Sequence, residues 1–118
     1  MRVSFPIIFV SDMQRSVSFY RDVLRLPLRF DTPHWTEFGG DDTSLALHTS
    51  DDPNPERGVQ EHLPAGRCRP GFDVPDLDEF HRWMTERNVP CVQKPTELFG
   101  ARIAQYADPD GLVLSVGE

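Results

Sequence analysis

Histidine is the first residue type to examine for chemistry, and the chain carries four: His34, His48, His62 and His81. No two of them share a spacing that would bring imidazoles together on one ion. Cys68 and Cys91 form neither a CxxC pair nor a zinc-type pattern, so both are expected as free, buried thiols of a reducing compartment. The chain has no G-x-S-x-G nucleophile elbow and no phosphate-cradling P-loop. Asp12 and Asp76 stand where helices need caps, and Asp41, Asp42, Asp51 and Asp52 fall in turns. Three polar residues remain. His48 ends the run Leu45-Ala46-Leu47-His48, whose alternation sets Leu45 and Leu47 on one face and Ala46 and His48 on the other. Imidazole titrates near neutral pH, which suits acid–base work. Arg69, on a strand, could clamp a carboxylate or stack on a ring. It could equally pair with Glu37, the one acid in mid-strand.

These residues need elements to position them. Residues 3–10 read as an apolar, β-branched strand that Pro6 confines to an edge or to a stretch whose donor is not needed. Ser11 or Asp12 caps a helix whose buried stripe is Met13, Val17, Tyr20 and Leu24, ended by Pro27. Strands follow at 26–31, 34–38 and 44–49, the last two joined by the turn residues Gly39, Gly40, Asp41 and Asp42. The proline- and glycine-rich stretch 50–66 is the linker. A strand at 67–74 comes next, then a helix with Asp76 and Glu79 as a capping box and Leu77, Phe80 and Met84 as its stripe. A strand at 90–94, a loop at 95–100 and strands at 101–107 and 112–116 complete the chain, the last pair joined by an Asp108-Pro109-Asp110-Gly111 turn.

The order of elements therefore occurs twice. Val10-Ser11-Asp12-Met13 matches Val74-Pro75-Asp76-Leu77, 64 residues on, and Leu45-Ala46-Leu47 matches Leu112-Val113-Leu114, 67 residues on. The fold expected is α+β, two tandem βαβββ modules (1–49 and 67–118) forming a cupped mixed sheet around a central cavity in one domain. At 118 residues the chain can bury a real core. It lacks both an 18-residue apolar run and a signal-peptide cleavage pattern, so the expectation is a soluble cytoplasmic protein with no membrane partner. A net charge of −7 argues against nucleic acid.

The segments Phe9-Val10-Ser11-Asp12-Met13-Gln14-Arg15-Ser16-Val17-Ser18-Phe19-Tyr20 and Leu26-Pro27-Leu28 resemble the vicinal oxygen chelate superfamily, as do Gly71-Phe72-Asp73-Val74-Pro75-Asp76-Leu77-Asp78 and the turn at 108–111. This superfamily groups glyoxalase I, extradiol dioxygenases and the fosfomycin and bleomycin resistance proteins, a range of activities that fold alone does not separate. The resemblance implies four metal-ligand positions, in the first and last strands of each module. Carried onto this chain they are Phe5, His48, Arg69 and Ser115. Phenylalanine has no lone pair to give, arginine is a fixed cation and serine is a poor ligand, so no metal and no cofactor are expected. The resemblance also places cavity-lining rings at Trp35, on the third strand, and at Phe99, in the loop before the seventh. Alternation turns either Trp35 or Phe38 to the ligand. Trp83 is expected in the core or an interface.

The function expected is metal-independent binding of a small molecule, with sequestration of a flat or cationic compound by Phe5, Trp35, Glu37, His48, Arg69, Phe99 and Ser115. One alternative is a metal-dependent glyoxalase- or dioxygenase-type enzyme with ligands outside the usual positions. The other is a metal-free enzyme with His48 as acid or base. By resemblance, the partner state expected is a homodimer.

Overall fold

Asp12 and Asp76 start the two halves in the same way. In the computed structural model, which describes residues 1–40, 42–52 and 63–118, each aspartate sits in extended backbone and accepts a hydrogen bond from the N–H three residues on. The Asp12 carboxylate takes Arg15 N–H at 3.1 Å and that of Asp76 takes Glu79 N–H at 3.0 Å. Asp41, most of the proposed linker and His62 lie outside the described residues.

The described residues form two compact units, one on each side of residues 53–62. Each is a four-stranded mixed sheet with one helix, as two βαβββ modules require, and neither sheet closes into a barrel. Module 1 comprises β1 (Ile7–Val10), α1 (Met13–Ser18), β2 (Leu28–Asp31), β3 (Trp35–Gly39) and β4 (Ser44–Thr49), in sheet order β1-β4-β3-β2. Module 2 comprises β5 (Gly71–Asp73), α2 (Leu77–Glu86), β6 (Cys91–Leu98), β7 (Ala101–Ala107) and β8 (Val113–Gly117), in order β5-β8-β7-β6. The first and last strands of each module run parallel, and the remaining pairs are antiparallel.

Both initial strands are shorter than expected, since ladder pairing begins only after a proline. Pro6 and Pro70 have no N–H to donate, yet their carbonyls accept from Ala46 N–H at 3.0 Å and Ser115 N–H at 2.9 Å. Residues 95–98, expected in a loop, continue β6 instead. That strand is an edge with two register shifts, which accommodates Pro95. A two-residue turn then reverses the chain, with Phe99 and Gly100 both at positive φ (52° and 80°).

The helix side of each sheet holds the core. Ile8, Val10, Phe38, Leu45 and Leu47 are buried in module 1, and Ala104, Tyr106, Leu114 and Val116 in module 2. Helix α1 runs on into a single π-helical turn, Phe19–Val23, that seats Tyr20 at zero exposure. Leu77 and Met84 anchor α2, and Glu118 Oε2 accepts Leu77 N–H at 2.8 Å, satisfying a further N-terminal donor of that helix. Gly39 has no room for a side chain: a Cβ there would stand 2.4 Å from the Thr43 carbonyl. Both cysteines are free but exposed rather than buried, Cys91 opening the edge strand β6 and Cys68 lying ahead of β5. Trp83 is half-buried, and the Arg87 guanidinium lies 2.9 Å above its ring. No helix among the described residues is long and apolar enough to cross a membrane.

Candidate functional site

Strand register decides which side chains share the face turned away from each helix. In module 1, Phe9, His48 and Trp35 form one row across β1, β4 and β3, and Ile7, Ala46 and Glu37 form the next. A bulge between Leu28 and Phe30 brings Phe30 opposite Glu37 and onto this face. Of Trp35 and Phe38, only Trp35 lies on this face. Phe38 is fully buried under the helix, while Trp35 lies half-buried on the open face.

The rings on this face touch. Phe5 meets Trp35 edge-on at 5.7 Å between centroids, Trp35 meets His48 at 5.9 Å, and Phe9 packs on His48 at 5.7 Å. Trp35 Nε1–H donates to Glu37 Oε1 at 3.1 Å, holding a half-buried carboxylate among the rings. His48 Nδ1–H donates to the Thr49 carbonyl at 2.6 Å, so the neutral ring keeps its lone pair on Nε2. Phe9 is 64% exposed, Phe30 47% and Ile7 43%, unusually open for such side chains. Sequence reading missed Phe9, Phe30 and Ile7 as members of this group. Phe5, Ile7 and Phe9 share parity along the chain, which was the available signal for two of them. The bulge that turns Phe30 left none. On the other side of the sheet, an open groove of about 800 Å³ runs beside α1 past Met13, Val17, Arg21, Asp31 and Pro33.

Module 2 presents a different face. Gly71, Ser115, Gln105 and Gln93 form a row across β5, β8, β7 and β6. Arg69 approaches this row two residues ahead of Gly71. Its Nε is buried with no hydrogen-bond partner, and among the described residues of module 2 no acid forms an ion pair with its guanidinium. Phe99, at the tip of the β6–β7 hairpin, is 99% exposed and sits at φ 52°, a conformation costly for a bulky side chain. Around the buried Tyr106, burial pushes the phenol well above its usual range, and its hydroxyl lies 2.9 Å from His81 Nδ1.

Register also corrects the alignment of the two halves. Pro6 and Pro70, 64 residues apart, accept from Ala46 and Ser115, which are 69 apart. The counterpart of Ser115 is therefore Ala46, and that of His48 is Gly117. The four positions where the fold family implies a metal become Phe5 and Ala46 in module 1, and Arg69 and Ser115 in module 2. Phe5 and Ala46 offer no side-chain lone pair, and a guanidinium repels a cation. This donor set does not fit a divalent ion. Among the described residues, no three His, Cys, Asp or Glu side chains are grouped to hold one elsewhere.

Residues 2–116 match the model of the Glyoxalase/Bleomycin resistance protein/Dioxygenase superfamily. The chain is 28% identical to the phenazine antibiotic resistance protein EhpR of Enterobacter agglomerans, with 96% of this chain and 88% of that protein covered. It is similar in structure to TnmS3, an antibiotic binding protein from Streptomyces sp. CB03234, at 26% identity and a TM-score of 0.77, covering 99% of this chain and 94% of that one. A glyoxalase/dioxygenase from Nostoc punctiforme shares the fold at 23% identity and a TM-score of 0.84, covering 98% and 89%.

Proposed function

The chain belongs to the Glyoxalase/Bleomycin resistance protein/Dioxygenase superfamily, and from that membership we propose that it is a metal-independent binding protein for a planar heteroaromatic compound of the phenazine type. The observation that carries this reading is the ring cluster of Phe5, Phe9, Trp35 and His48 on the open face of module 1. Ring faces and edges fixed by mutual packing offer a planar ligand stacking area at little cost in side-chain entropy. Glu37, tethered by Trp35, and His48 Nε2 add an acceptor pair for a ring N–H or an amino substituent. The likeness to EhpR and TnmS3, whose names speak of phenazine resistance and antibiotic binding, supports the same chemistry. The unsuited donor set at the four family positions supports its metal independence. A cytoplasmic homodimer is part of the proposal, and sedimentation in dilute solution tests the assembly, a monomer refuting it.

Fluorescence provides the main test, in a Trp83→Phe background that leaves Trp35 as the sole indole. Phenazine should quench Trp35 saturably, and Trp35→Ala should weaken binding by about tenfold to a hundredfold, each tenfold being worth about 1.4 kcal/mol. An unsaturable response, or an unchanged affinity in Trp35→Ala measured by calorimetry, would refute the reading. Stoichiometric Ni, Zn, Fe or Mn in the purified protein would refute metal independence.

A further inference from the structure

We propose that the open face of module 2 is a binding site for an organic carboxylate, with Arg69 as the residue that recognises the anion. The observation is an unmatched charge. Arg69 Nε is buried without a hydrogen-bond partner, and no acid among the described residues of module 2 forms an ion pair with the guanidinium. A buried donor left unmade costs about 1–3 kcal/mol, and more for a charged group, so such atoms mark places where an acceptor belongs.

The surroundings suit one negative charge. Ser115 N–H holds the Pro70 carbonyl at 2.9 Å, which ties the segment carrying Arg69 to β8. From there the row Gly71–Ser115–Gln105–Gln93 crosses the sheet. Gly71 adds no side chain, and a Cβ built there meets nothing within 4 Å, so the row is open at its first position. Ser115, Gln105 and Gln93 are half-buried neutral groups able to donate to an anion's second oxygen. Charge balance narrows the class. One planar guanidinium fork matches one carboxylate bidentately, whereas a phosphate dianion would be left half-neutralised on a chain of net charge −7. This inference goes beyond the aromatic face of module 1 and is read without it.

The test follows the arginine side chains directly, by ¹H–¹⁵N spectra of the Nε–Hε groups in full-length protein, with benzoate and its neutral isostere benzamide as probes. The Arg69 cross-peak is the one lost in both Arg69→Gln and Arg69→Lys. Benzoate should move it downfield along a saturating curve, while benzamide leaves it within a tenth of that shift. Arg69→Lys, which keeps the charge and loses the fork, should weaken benzoate binding at least tenfold by calorimetry. An Arg69 cross-peak that responds alike to the two probes, or to neither, overturns the proposal. Because Trp35 emission plays no part, failure here and failure of phenazine binding are separate results.

Discussion

In module 1 the sheet face turned away from the helix carries Phe9, Phe30, Trp35 and His48, whereas the corresponding face of module 2 carries Ser115, Gln105 and Gln93. The opposite faces are alike. Each packs an apolar stripe under its helix, and each seats a buried tyrosine, Tyr20 in one and Tyr106 in the other. The difference teaches where the repeat is constrained. A helix can be held only by an apolar sheet face, so both backs stay apolar. The open faces carry no such obligation and have diverged into an aromatic platform and a polar, arginine-bearing row.

If the backs are equivalent, truncating them should cost the same. Leu47→Ala and Leu114→Ala each remove a fully buried side chain, and each should lower unfolding stability by about 2–5 kcal/mol in a urea titration. A cost confined to one module would break the symmetry claimed for the cores.

Alkaline pH should act on module 2 through Tyr106. An unfolded tyrosine ionises near pH ~10, while burial holds folded Tyr106 neutral to higher pH. The unfolded chain thus loses this proton first, and stability falls as pH rises above about 10. Tyr106→Phe removes that component. Its melting temperature should drop less between pH 8 and pH 11 than that of the parent protein, although at pH 8 it is lower by the loss of the bond to His81. An identical alkaline drop in both proteins would remove Tyr106 from the account.

The smallest effect lies just beyond each helix. Arg25 (φ 61°) and Asn88 (φ 56°) both adopt the left-handed conformation, which asparagine tolerates better than arginine. Arg25→Asn should raise stability by a few tenths of a kcal/mol up to about 1 kcal/mol, read as a small rise in melting temperature. A fall would mean that contacts of the Arg25 side chain outweigh its backbone cost.

Much of the fold was legible in the chain because its signals are local. A cap needs only Asp12 or Asp76 and the N–H three residues on. The final turn needs only Asp108, whose Oδ1 accepts from Asp110 and Leu112 N–H at 2.9 Å each. Alternation along β4 correctly separated His48 and Ala46 from Leu45 and Leu47. The open-face group was only partly legible. Trp35, Glu37 and His48 could be named from their strands, but Phe30 reaches the face through a bulge that no residue pattern announced.

What the sequence determined by itself was the repeat: two caps, two helices, the order of eight strands and the apolar stripes that make each sheet one-sided. Only the tertiary structure decided the register of the closing strands. Strand side chains repeat every two residues, so a slip of two leaves every residue on its proper face and is invisible to pattern. Leu45-Ala46-Leu47 fits Leu112-Val113-Leu114 as well as it fits Leu114-Ser115-Val116. Pairing with the first strand, Pro6 with Ala46 and Pro70 with Ser115, selects the second. That selection puts Ala46 where His48 had been expected and leaves His48 in the aromatic row beside Trp35.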